Sequence, residues 1–73
     1  MLAGFAINPI KEHRVVWHGG NSTMIHFEVL KDNEWIEKNC QSFMEFPKGM
    51  SALHAAMQDF YQSCLEQYEL NKN

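Results

Sequence analysis

The chain has 73 residues, 45% hydrophobic and 21% charged, with a formal net charge of −3. This excludes a disordered or fibrous protein and fits a single small α+β domain over residues 1–73, whose folding removes only about 60% of the unfolded chain's surface from water. Arg14 is the only arginine beside five lysines, which weighs against nucleic acid as the main partner, because that affinity comes largely from basic side chains neutralising phosphates.

The apolar stretch from Leu2 to Ile7 has no basic residue before it and ends at Asn8-Pro9, so it does not read as a secretory signal. The sequence leaves residues 4–10 open between a loop and a further edge strand, in which Pro9 would be tolerated because an edge residue need not donate to a neighbour. Arg14 to His18 predicts the next strand, turned by Gly19-Gly20-Asn21-Ser22 into Thr23 to Leu30. There Ile25, Phe27 and Val29 alternate with His26 and Glu28, the period of a half-buried strand.

Lys31-Asp32-Asn33-Glu34 predicts a second tight turn. From Trp35 to Phe46 the chain resumes as strand, but with poor alternation, which points to a bulge or an edge near Asn39. Ser42 to Phe46 either continues that strand or forms a fourth. Pro47-Lys48-Gly49 breaks the pattern, and Ser51 is placed to cap a helix starting at Ala52. Leu53, Met57, Phe60, Cys64 and Tyr68 mark its apolar stripe, opposite Gln58, Asp59, Gln62 and Glu66. The expected fold is therefore an antiparallel sheet of three or four strands packed on one C-terminal amphipathic helix.

No apolar run approaches the roughly 18 residues that span a bilayer. Cys40 and Cys64 lack the paired spacing of a zinc or redox motif and suit a reducing compartment. The expected location is cytoplasmic, with no membrane contact. Of the histidines, His13 shares the face of Val15 and Trp17, while His18 and His26 project together to the other side. Structural zinc sites take four ligands and catalytic ones three, so neither a metal nor any other cofactor is expected. His54 reads as packing at the stripe's border.

His18-Gly19-Gly20 is similar to the oxyanion loop of lipases, but the Gly-x-Ser-x-Gly elbow is absent and the run reads as a hairpin turn. Nine carboxylates form no close pair on an apolar face, and the four glycines lack phosphate-loop spacing. No catalytic set emerges, and the expected protein is not an enzyme.

The aromatic residues exceed what one thin core absorbs. Trp35 has two equal readings: on the sheet face away from the helix it joins Met24 in an apolar patch of the kind that marks interfaces, and otherwise it covers the hairpin edge. The favoured reading is a protein-binding module using Trp17, Met24, His26 and Trp35, with self-association into a homodimer as one form of it. The size suits a phage or mobile-element inhibitor or adaptor. The alternative is a single-stranded nucleic-acid-binding protein in which Trp17 or Trp35 stacks on bases and Lys11, Arg14, Lys31 and Lys38 meet phosphates. Strands followed by one long helix, with Lys48-Gly49-Met50-Ser51-Ala52-Leu53 at the junction, loosely resemble over the second half of the chain a transcriptional coactivator family that binds single-stranded DNA. The chain departs from that family in lacking the lysine and arginine density of its binding face.

Overall fold

A computed structural model describes residues 3–71. Four strands run in chain order across one antiparallel sheet: β1 (Ala3–Ile10), β2 (His13–Gly19), β3 (Met24–Lys31) and β4 (Glu34–Ser42). One helix, α1 (Met50–Asn71), follows. This is the expected α+β arrangement, with the N-terminal stretch supplying the fourth strand at the β1 edge.

Turn chemistry sets the registers. Asp32 and Asn33 both have positive φ, 53° and 67°, in a two-residue turn between the paired Lys31 and Glu34. That backbone twist matches the flanking strands, and Asp and Asn accept it better than other residues with a Cβ. Between β2 and β3, Gly19 and Gly20 take φ of 88° and 61°. Ser22 N–H closes the turn on the Gly19 carbonyl at 3.1 Å, and the Trp17 indole N–H donates to the Ser22 carbonyl at 3.0 Å. The hairpin is thereby tied to the core.

The core lies between α1 and one sheet face. Val15, Trp17, Ile25, Phe27, Leu53 and Met57 are fully enclosed, the strand residues at period 2 and the helix residues at period 3.6. Phe5 and Ile7 of β1 share this face through their pairing with Trp17 and Val15. His13 is buried there as well, between the rings of Phe27 and Tyr68. The helix sits over β1, β2 and β3, and β4 lies beside it rather than beneath it.

Both edges carry an irregularity. In β4, Phe27 pairs with Asn39 but Glu28 pairs with Glu37, so Lys38 is the extra residue of a bulge beside Asn39. In β1 the register shifts between Ile7 and Ile10, around Pro9. The Asn8 amide, turned with its nitrogen inward, donates to the Ile10 and His13 carbonyls across this break.

Two boundaries differ from expectation. The helix begins at Met50, ahead of Ala52, because Gly49, at φ 95°, already accepts the Leu53 N–H at 3.1 Å. Ser51 thus lies inside the first turn, exposed, and is not the cap. The last strand stops at Ser42. Phe43 still donates its N–H to the Thr23 carbonyl at 2.8 Å, while its ring packs edge-on against Phe46 at 6.0 Å, and Phe46 reaches the Trp17 ring at 5.8 Å. Closing that end of the core outweighs further strand pairing.

Candidate functional site

The sheet face away from α1 is the open one. Alternation places Arg14, Val16 and His18 of β2 there, with Met24, His26, Glu28 and Leu30 of β3. Register continues the face across β4 through Trp35 opposite Leu30, Glu37 opposite Glu28, and Cys40 opposite His26.

Its most ordered part spans three strands. Arg14 directs Nε and Nη2 to the same Glu28 oxygen, each at 2.7 Å. Its guanidinium carbon stands 4.1 Å from the centre of the Trp35 ring. A charge-assisted pair and a cation–π contact thus converge on one side chain, reaching from β2 over β3 to β4. Towards the other end, the His26 Nδ1–H donates to Glu37, and the His18 ring lies 4.9 Å from that of His26.

The expected binding residues are not all brought together. Trp17 is 0% exposed and offers no ring to a partner or a base, because burial of its large side chain closes the core. Met24, His26 and Trp35 do share the open face. However, Met24 is six residues along β3 from Leu30, the partner of Trp35, which at 3.3 Å per residue is about 20 Å. The proposed Met24–Trp35 patch does not form, and His26 and Glu28 lie between its two ends.

The basic residues do not form one track. Arg14 is held by Glu28. Lys11, in the β1–β2 turn, and Lys31, at the end of β3, share one end of the sheet with Glu12, Asp32 and Glu34. Lys38 stands on the β4 bulge at an edge. This distribution offers a strand of phosphates no continuous path.

A groove of about 410 Å³ runs between β4 and the flank of α1, lined by Asn39, Gln41, Ser63 and Gln67 over Phe60 and Cys64. Sequence pattern could not show it, because it exists only where the helix leaves β4 uncovered. On its floor the Asn39 amide meets the Cys64 sulfur at 3.7 Å. Burial pushes the Cys64 thiol pKa up, and the Asn39 contact opposes that shift. Burial likewise raises the Tyr61 hydroxyl pKa, opposed by the Ile10 backbone. That hydroxyl and the His13 Nδ1 make no regular hydrogen bond among the described residues.

No protein-family model matches the chain, and neither does any curated protein or solved structure. Among the described residues no helix is long and apolar enough to cross a membrane.

Proposed function

We propose that this chain is a non-enzymatic protein-binding module that engages a protein through the open face of its sheet, centred on Arg14 and Trp35. The observation that carries this reading is the Arg14–Trp35 stack, held on the face that the helix does not cover. Tryptophan and arginine are the residue types that most often dominate binding energy at interfaces. Here Glu28 fixes the guanidinium before any partner arrives, which reduces the side-chain ordering that association must supply. Half-buried Val16 and Leu30 lie beside the stack on the same face, giving it an apolar surround.

Bulges at both edges disfavour simple strand-to-strand addition, so the partner surface is the face rather than an edge. The two free cysteines suit a reducing compartment such as the cytosol. A second copy of the chain is one partner this face can accept, and light scattering at high concentration tests it: a monomer removes the homodimer.

The reading is tested by capturing proteins from the native host with the tagged chain and with its folded Trp35→Ala variant. A specific protein held by the parent and lost by the variant supports it. Equal capture by both, or capture by neither, overturns it.

A further inference from the structure

Arg14, Glu28 and Glu37 stand side by side across β2, β3 and β4, because Arg14 pairs with Glu28 and Glu28 with Glu37. Side chains paired in this way lie about 5 Å apart at Cβ, and like charges so placed oppose folding. Two carboxylates thus share one arginine. Arg14 directs both of its contacts to a single Glu28 oxygen. Glu37 is engaged by His26, also through a single oxygen. Among the described residues neither carboxylate is paired with a lysine. Each keeps a second oxygen for an incoming donor, and Glu37 is the more open of the two, its side chain 50% exposed against 14% for Glu28.

We propose that Glu37 and Glu28 receive a lysine or arginine side chain of the partner protein, a proposal that rests on the open face being the protein-binding surface. The partner is thus basic where it touches this row. A cation placed there offsets the like charges that Arg14 alone does not balance, and hydrogen bonds to ionised oxygens are the stronger kind. Apolar contact lies on both sides of the row: Val16 stands two residues from Arg14 along β2, while Leu30 and Trp35 stand two residues from Glu28 and Glu37. A basic side chain with an aliphatic neighbour therefore matches the face in charge and polarity. A second copy of the chain is the poorer match, since it sets four carboxylates, two from each copy, against two arginines, with a net charge of −3 on each chain. A nucleic-acid backbone brings phosphates to the same carboxylates. Like-charge juxtaposition of this kind selects against both.

The test is selection of random-sequence displayed peptides on the immobilised full chain, followed by titration of the selected peptides against the chain and its variants. The expected peptides carry a lysine or arginine beside an aliphatic residue, and their affinity falls with added salt. Trp35→Ala should weaken them by about thirtyfold or more, and Glu37→Gln by about fivefold, as for one partly exposed ion pair. Glu37 is exposed, so Glu37→Gln keeps both the fold and the shape of the side chain. Glu66→Gln, on the exposed side of α1, should leave affinity unchanged, which separates the row from the general acidity of the chain. Peptides that depend on Trp35 but carry no cation, or that bind Glu37→Gln as tightly as the parent, overturn the proposal and leave the open face standing as the binding surface. Peptides indifferent to Trp35→Ala overturn both. Selection of no peptide at all also overturns the proposal.

Discussion

Arg14 and Trp35 lie on strands that are not neighbours, yet the guanidinium carbon stands 4.1 Å from the centre of the indole. Glu28, on the strand between them, holds the arginine in place. Because the whole arrangement is on the solvent side of the sheet, its contribution to stability is small. Arg14→Ala and Trp35→Ala should each lower unfolding free energy by about 1 kcal/mol, as for a surface cation–π contact and ion pair. Urea unfolding checks this, and it separates folding effects from any loss of binding.

Trp17 provides the contrast. It is 0% exposed, bonds the Ser22 carbonyl through its indole N–H, and touches Phe5 and Phe46. Trp17→Ala should destabilise by about 3–5 kcal/mol, a large share of the total stability of a domain this size. The expected outcome is broad or absent cooperative unfolding by circular dichroism.

Gly4 stands where β1 crosses close to β2. A Cβ built there overlaps the Trp17 carbonyl oxygen and the His18 backbone, so Gly4→Ala requires the strands to separate locally. The expected loss is about 1–3 kcal/mol, in the range of overpacked sites, read from the urea midpoint. Gly49→Ala meets no atom, and its effect comes instead from φ of 95°.

Alkaline pH should weaken the fold. Cys64 and Tyr61 have folded-state pKa values raised by burial, so above their ordinary values the folded chain holds protons that the unfolded chain has released. Stability from this source is fully present below the ordinary thiol value of 9.0 and falls as pH rises past it, then further past 10.0 for the tyrosine. Urea midpoints measured across this range should decline. Cys64→Ala should remove the earlier part of the decline, and Tyr61→Phe the later part.

Much of the fold was legible because local rules agreed. The alternation of Ile25, Phe27 and Val29, the Asp32-Asn33 turn and the spacing of Leu53, Met57, Phe60 and Cys64 each point to the element that forms. Ser51 misled because its side chain suits a cap, whereas Gly49 reaches the required geometry two residues earlier. The candidate site was less legible because it depends on register between distant segments. Alternation alone puts Met24 and Trp35 on one face. Only the pairing of Trp35 with Leu30 shows how far apart they are, and only the pairing of Arg14 with Glu28 shows that the arginine is occupied. Nor does a local pattern tell a fully buried tryptophan from a half-exposed one, which is why Trp17 and Trp35 looked alike.

The central claim is that the open sheet face, not the outer side of α1, meets the partner. Its most direct test is the affinity of the captured partner for Trp35→Ala and for Gln62→Ala, an exposed position on the helix. The expected result is a loss of about 2 kcal/mol or more for Trp35→Ala, as for a dominant interface residue, and unchanged affinity for Gln62→Ala. Full affinity in Trp35→Ala together with a loss in Gln62→Ala would contradict the claim.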